Sequence, residues 1–452
     1  RPSQHGRRAQ TRRVPIRGFR EVPGAPCKVL RGHITMIPWK RRDEPTLLGL
    51  GHRLVRETQR GRTNVLLVLE TGGGGAGRHV IDLARGLIQR GYGVTLAYSG
   101  LRAEVPFLDE IHSTADLHCI RIDMTRSVGA MDLRAARAIR AYLRQFGPFR
   151  IVHGHSSKAG ALLRIAALGT EAARIYTPHA FVTLDPRLDA ARRAVYSTAE
   201  RALSHLADAI ICVSREELDH ALHLGIDRAK LHLVPNGVSP STDVRRSDVR
   251  RQLALEPDEL CIGYVGRLDA GKAVDRLLLA FAEVRRRQPR TRLALVGGGP
   301  EEAALRSLSV RLNVADAVTF IGAGDGRTLM AAFDVFAFAS LYEGFPYVLL
   351  EAAQRGLPIV TTKVGGADQI VVSGTTGYVV AQHDAASFAQ CLLRVCSDAV
   401  LRAGMSAAAA DVGLQWTTQR MIDDTIKVYS AAERVRQDAA SKHGTFKRLM
   451  RV

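Results

Sequence analysis

The segment NVLLVLE at 64–70 runs directly into TGGGGAG at 71–77, then into RHVIDLARGLIQRG and VTLAYS. An almost continuous apolar run of strand length is the mark of a parallel strand buried on both faces. Glycines behind it let the backbone approach a ligand closely, because no Cβ intervenes. The helix that follows opens with free N–H groups and a partial positive charge, which suit a phosphate. Strand, glycine loop, helix and strand together start a doubly wound α/β sheet.

Further strands are expected at Ile151–His153, Arg174–Tyr176, Ala209–Val213 and Leu231–Val234, with helices around 132–145, 158–168, 189–206 and 215–224. PNGVSPSTD, 235–243, is rich in turn residues and reads as a linker. The pattern then restarts with strand CIGYVG (261–266), a helix over 273–287, strand RLALVG (292–297), a helix to about 312 and strand VTFIG. A helix near 326–333, strand VFAFAS, the segment EGFPYVLLEAAQRG and strand PIVTT follow. The closing stretch, about 384–397, 400–411 and 416–434, reads as helix only. A chain of 452 residues exceeds one ordinary core. The expected fold class is α/β, with two Rossmann-like domains at 63–238 and 239–412, a helix at 413–436 and a basic tail at 437–452.

Twelve of the 20 excess positive charges fall in residues 1–62, which hold 16 Lys/Arg against 4 Asp/Glu. That segment has several prolines, no apolar periodicity and no apolar core of a secretory signal. It reads as a disordered leader, or as sequence translated ahead of the true start, and as dispensable for chemistry. The other reading is a basic arm drawn to anionic lipid. Nucleic-acid binding is not expected, since no aromatics interleave regularly with the arginines. Cysteines 27, 119, 212, 261, 391 and 396 are scattered without a CxxC pair, which suits a reducing cytoplasm. No window offers about 18 uninterrupted apolar residues, so no membrane span is expected.

In EGFPYVLLE, Glu343 and Glu351 stand eight positions apart around a Gly-Phe-Pro turn and the opening of an apolar helix. Glu343 lies in the loop and Glu351 in the second turn of the helix, with the helix N-terminus between them. Two carboxylates can accept hydrogen bonds from sugar hydroxyls while the N-terminus receives a phosphate. In GRLDAGK, 266–272, Arg267 and Lys272 place two cations on one loop after a strand, able to neutralise a diphosphate without a metal. Gly72, Gly74 and Gly77 satisfy the dinucleotide spacing, but VTLAYSG carries no acidic partner for a ribose. His153 and His155 could suggest a metal ligand pair, but no third ligand is apparent in the sequence, so no metal is expected.

The EGFPYVLLE segment resembles the donor-binding signature of retaining glycosyltransferases of family four, which have the two-Rossmann-domain (GT-B) architecture. The similarity spans roughly Asn64 to Tyr429, with separate motifs in the family's order. It implies transfer of a sugar from a UDP- or GDP-linked donor with retention of configuration and without a metal cofactor. Glu343 with Gly344, Phe345 and Pro346 would hold the hexose, Glu351 the ribose, and Leu349 would belong to the donor site. GRLDAGK resembles the family's GRL-x-x-x-K element, giving Gly266, Arg267 and Lys272 to the diphosphate. VGGGP, with Gly298, and Phe320-Ile321-Gly322 resemble the base-binding wall. Gly74 and Gly75 would face the cleft near the phosphates, and His179 of TPHAF would lie beside the reacting sugar. Glu343, His179, Arg267 and Lys272 form the implied catalytic set. The last helix would cross back to the first domain.

HGHSSKAG at 153–160 is similar to a segment of polysaccharide-assembling relatives, and points to Ser156, Ser157 and Lys158 as acceptor contacts. That implies a lipid-linked saccharide acceptor in exopolysaccharide, capsule or lipopolysaccharide assembly, at the cytoplasmic face of the plasma membrane. KVGGADQIV departs from the pattern, with Asp368-Gln369 where many relatives have Pro-Glu. In 131–150, Arg134, Arg137, Arg140 and Arg144 line one side of a helix, with Leu133, Ile139, Leu143 and Phe146 as an apolar flank. Such a helix either covers the sheet or lies on anionic lipid. The alternatives in function are a nucleotide-sugar epimerase of the same architecture and a non-catalytic nucleotide-sugar-binding protein.

Overall fold

The structure is a computed structural model that describes residues 62–240 and 243–449, with side chains to residue 438. The basic leader at 1–62 lies outside the described residues except for its last position, and so do the side chains of the expected basic tail beyond 438.

The first sheet has seven parallel strands: β1 (Asn64–Leu69), β2 (Gly93–Tyr98), β3 (Leu117–Arg121), β4 (Ile151–His155), β5 (Ala173–Thr177), β6 (Ala209–Cys212) and β7 (Leu231–Leu233). Its order is β3-β2-β1-β4-β5-β6-β7. The helices are α1 (Gly74–Gln89), α2 (Val105–Ser113), α3 (Ala130–Phe146), α4 (Ser157–Ala166), α5 (Ala190–Ser204) and α6 (Arg215–His223). The near-continuous apolar run of β1 is explained by helices on both faces of the sheet. Val65, Leu67 and Leu69 join the core shared with Val80, Leu83 and Leu87 of α1. Leu66 and Val68 join the opposite core, with Ile139 and Leu143 of α3 and Leu163 of α4.

The second sheet has six parallel strands: β8 (Leu260–Val265), β9 (Thr291–Val296), β10 (Val318–Gly322), β11 (Val335–Phe338), β12 (Ile359–Thr362) and β13 (Gly377–Val380). They are ordered β10-β9-β8-β11-β12-β13. Its helices are α7 (Arg246–Gln252), α8 (Val274–Arg287), α9 (Glu302–Arg311), α10 (Gly326–Leu329), α11 (Tyr347–Gln354), α12 (Ala367–Ile370), α13 (Ala385–Ser397) and α14 (Ala399–Gly413). The last helix, α15 (Thr418–Leu449), returns to the first sheet, where Met421, Ile422, Val428 and Tyr429 enter the β1–α1 core. No helix among the described residues is long and apolar enough to cross a membrane.

Several elements differ from the sequence expectation. Strands β3 and β13 were not expected. β3 is an edge strand, LHCIR, half-buried along its length, and β13 is a four-residue edge strand, GYVV, behind a turn. His118 and Arg121 break the apolar run of β3, and β13 offers only four residues, so neither carries the signal of a buried strand. Helix α1 starts at Gly74, so the glycine run forms its first turn rather than a loop before it. Helix α15 continues past the expected end at 436 to Leu449, through residues with no proline to stop it. On α3, Ile139 and Leu143 are buried in the core, and Arg140 donates to the carbonyls of Ala166 and Leu168. The expected apolar flank therefore covers the sheet, leaving Leu133 exposed.

Candidate active site

In both sheets the strand order reverses beside the first strand, between β1 and β4 and between β8 and β11. In open parallel sheets, ligands bind outside the carboxyl ends of the strands at such a switch point. The loops there are the ones the sequence singled out. After β1 come Gly72 and Gly73 with the Gly74–Gly77 turn that opens α1, after β4 Ser156, after β8 Gly266–Lys272 and after β11 Ser340–Pro346. The two sets meet. The Tyr342 hydroxyl is shared between the carbonyls of Ala180 (2.7 Å) and Phe181 (2.6 Å), and Asn236 Nδ2 donates to Phe345 O (2.8 Å). Gly344 lies so close to the first domain that a Cβ there would sit 2.8 Å from Ala180 N.

Glu343 sits in the turn before α11 and pairs with Lys272, whose ammonium reaches Oε1, while Ser340 Oγ donates to the same oxygen at 2.7 Å. Glu351 is buried, on the second turn of α11. It is held by Arg78 of α1 (Nη1 to Oε1, 2.5 Å) and by Arg327 of α10 (Nε to Oε1, 3.4 Å). Burial pushes the Glu351 carboxyl up, against the pull of these guanidinium groups. Phe345 and Leu349 are core residues, Phe345 lying against Trp416, so only their backbone can face a ligand. Pro346 is the N-cap of α11.

Arg267 and Lys272 do not share a partner. Arg267 is exposed and turns to Asp269 (3.4 Å), whereas Lys272 is mostly buried against Glu343. Gly266 has φ 158°, and Tyr264 donates its hydroxyl to the Arg267 carbonyl beside it at 2.8 Å. Of the glycines in VGGGP, Gly297 is the constrained one, with φ 124° and the Gly266 carbonyl where a Cβ would have to fit. Gly298 faces open space, and Gly322 accepts from Gly297 N at 2.7 Å. Gly74 and Gly75 are exposed at the N-terminus of α1, and the nearest atom to a Cβ on Gly75 is Tyr347 Cδ2 of α11 at 3.6 Å. The glycine turn and the α11 helix thus face one another.

Ser156 caps α4. The Ser157 hydroxyl lies 3.3 Å from that of buried Tyr176, and Lys158 is paired with Asp132 of α3 at 2.7 Å. All three lie at the end of β4, but the latter two are engaged with the first domain itself. The departure at 368–369 leaves its loop intact: Lys363 pairs with Asp368, and Glu216 of α6 accepts from Gly366 N at 3.0 Å.

The sequence did not signal four contributors. His79, from α1, joins His155 and His179, and each offers a nitrogen within 4.8 Å of the others, so the third histidine missing from the sequence reading exists. Among the described residues this is the grouping with metal-ligating chemistry. Its hydrogen bonds are nevertheless specific. Asn236 Nδ2 must donate to Phe345 O, so its Oδ1 accepts the proton of His79 Nδ1 at 3.0 Å. His155 Nε2 is buried without a partner and is least costly as a lone pair. Its proton then sits on Nδ1 and is donated to His179 Nε2 at 3.0 Å, leaving the His179 proton on Nδ1. Burial lowers all of them, His79 to about 4 and His153, His155 and His179 well below the usual range. The cluster is therefore uncharged at neutral pH.

Glu217 of α6, fully buried, is the second contributor. It accepts from Val213 N at 2.8 Å and from Ala180 N, and burial pushes its carboxyl up to about 7. His179 and Ala180 both hold left-handed backbone, φ 53° and 82°, costly for non-glycine residues. Glu217 takes the Ala180 N–H of that loop, and Tyr342, the third contributor, donates to its carbonyls at Ala180 and Phe181. Their only sequence trace was an S-x-x-E capping pattern at 214–217 and a tyrosine beside Glu343. Arg78 is the fourth.

Residues 73–242 match the family described as Glycosyltransferase Family 4, and residues 245–412 match Glycosyl transferases group 1. The chain is 28% identical over 385 residues to a D-inositol 3-phosphate glycosyltransferase of Stackebrandtia nassauensis, covering 79% of this chain and 87% of that protein. It is 29% identical over 267 residues to the UDP-Gal:alpha-D-GlcNAc-diphosphoundecaprenol alpha-1,3-galactosyltransferase of Escherichia coli, covering 56% of this chain and 68% of that protein. Among solved structures, Anabaena Alr3699/HepE in complex with UDP and glucose aligns with a TM-score of 0.68 at 20% identity, over 82% of this chain and all of that one, a likeness of fold.

Proposed function

With each half matching its own glycosyltransferase family, the chain is a glycosyltransferase of the two-Rossmann-domain class, and we propose that it is a retaining enzyme using a UDP-linked sugar. The observation that carries the reading is the meeting, at the two switch points, of the exposed Gly74–Gly75 turn, the α11 N-terminus and the carboxylates Glu343 and Glu351. UDP is favoured because the Escherichia coli relative is named for a UDP-sugar and the Anabaena structure holds UDP.

In this reading the α11 amides and Lys272 stabilise the diphosphate as it leaves, with Arg267 swinging from Asp269 to join them. That positive charge takes the place of a metal ion. Glu343, freed from Lys272 by the incoming phosphates, accepts hydroxyls of the hexose, and Glu351 accepts those of the ribose. His179, uncharged, offers its Nδ1 proton to a sugar hydroxyl without placing a second cation beside an oxocarbenium-like centre. The leaving diphosphate takes the acceptor's proton on the same face, which gives retention without a protein nucleophile. The acceptor is a saccharide on a lipid diphosphate, as in the name of the Escherichia coli relative, met at the cytoplasmic surface of a membrane. The pathway class is cell-surface polysaccharide assembly.

The test is titration of UDP and UDP-sugars into wild type, Glu351→Ala and Glu343→Ala. Glu351→Ala is expected to weaken free UDP about tenfold to a hundredfold, the cost of losing a charged hydrogen bond of roughly 1.5–3 kcal/mol. Glu343→Ala should spare UDP and weaken the sugar conjugate. Equal UDP affinity in both variants would show the assigned roles to be wrong, and turnover of donor alone to an epimer would replace transfer as the reaction.

A further inference from the structure

We infer that Arg78, supplied by the first domain, is a positioning residue for the donor: it orients the Glu351 carboxylate across the cleft, so the ribose-binding group is complete only when the two domains are closed. This rests on the reading that Glu351 holds the ribose.

Arg78 stands one turn into α1, directly after the glycine run. Its guanidinium is fixed at three points. Nη1 reaches Glu351 Oε1 at 2.5 Å, Nε reaches Asp82 Oδ2 one turn further along α1 at 3.3 Å, and the group lies over the Tyr347 ring, 5.2 Å from its centroid. Tyr347 and Glu351 both belong to α11, so Arg78 grips one face of that helix from the opposite domain. The side chain of Glu351 is 7% exposed and that of Arg78 25%. An ion pair this far from water is little screened, and losing one partner strands the other.

The second guanidinium at Glu351 belongs to the second domain. Arg327 donates through Nη2 to the carbonyls of Ser239 and Pro240, so it stays near Glu351 however the cleft moves. Arg78 belongs to the first domain, so any separation of the domains would withdraw it. Among the described residues both ion pairs to Glu351 end on Oε1, which leaves Oε2 outside those pairs to accept from a ligand hydroxyl. An open cleft would present the same carboxylate held only at 3.4 Å. Closure, through one arginine, thus sharpens donor binding.

The charged groups around Glu351 are Arg78 with its neighbour Asp82 on α1, Arg327 on α10, Asp325 at the cap of α10, and Tyr347 on α11 itself. Burial and Asp325 favour the protonated acid, and the two arginines oppose them. Removing Arg78 removes the nearer of the two opposing cations. Nucleotide binding should then weaken as pH falls, a dependence that loss of packing alone would not create.

The experiment is calorimetric titration of UDP into the full chain from pH 6 to 8.5, for wild type, R78Q, R78M, R78K and E351Q, each checked for native circular dichroism. R78Q and R78M, two neutral replacements of different polarity, guard against one failing to fold. Both are expected to bind UDP roughly tenfold more weakly, the scale of one charge-assisted hydrogen bond, with affinity falling further toward pH 6. R78K should restore the wild-type pH profile. UDP affinity in R78Q or R78M equal to wild type would overturn the inference, as would a loss that is flat with pH and unrelieved in R78K. If E351Q itself binds UDP normally, the ribose assignment fails instead.

Discussion

Replacing Glu217 by glutamine isolates a buried charge that the site depends on. Burial pushes the folded carboxyl up to about 7, from about 4.5 when exposed. The folded state therefore binds more protons than the unfolded chain between those values. Stability contributed by this group is complete below about pH 4.5, declines as pH rises, and is gone above about 7. The full difference corresponds to roughly 3 kcal/mol, most of which falls between pH 5 and pH 8. The replacing amide cannot titrate. The stability of wild type relative to Glu217→Gln should thus drop by roughly 2–3 kcal/mol over that range, or roughly 5–10 °C in melting temperature for a domain of this size. The buried His79, His153, His155 and His179 have the opposite sign, because their lowered values destabilise the fold as pH falls below about 6.5. They are common to both proteins and cancel in the difference. The assay is thermal melting of both proteins by circular dichroism at half-unit pH steps. A difference constant from pH 5 to 8 would show that the Val213 and Ala180 amides keep the carboxylate ionised throughout, and the reasoning from burial would be wrong.

Two further outcomes rest on the same geometry. Gly344→Ala places a Cβ 2.8 Å from Ala180 N and 3.1 Å from His179 C, so it should lower turnover by an order of magnitude or more while both domains stay folded, measured as transfer rate alongside melting temperature. Activity should survive exhaustive treatment with a chelator, because Lys272, Arg267 and the α11 amides supply the positive charge. Loss of activity on chelation, restored by one divalent cation alone, would instead assign the His79–His155–His179 cluster or the phosphate site to a metal.

Local sequence was enough for the repeated strand, glycine turn and helix, since a strand buried on both faces must be apolar throughout and a helix covering it must be apolar on one side. The same locality placed Glu343 and Glu351 on either side of a helix N-terminus, and Lys272 on the loop after β8. Strands β3 and β13 escaped because His118 and Arg121 break the apolar run of LHCIR and GYVV is only four residues long, and the start of α1 was misjudged because glycine weakens the helical signal that packing then overrides. What no periodicity could reveal is which side chain meets which. Arg78 and Glu351 are 273 positions apart, His79 meets His155 and His179 from three separate segments, and Lys272 pairs with Glu343 while Arg267 pairs with Asp269, so the two cations do not share a partner. Those pairings depend on two sheets closing on each other and on which charges remain once water is excluded, and only the packed chain decides that.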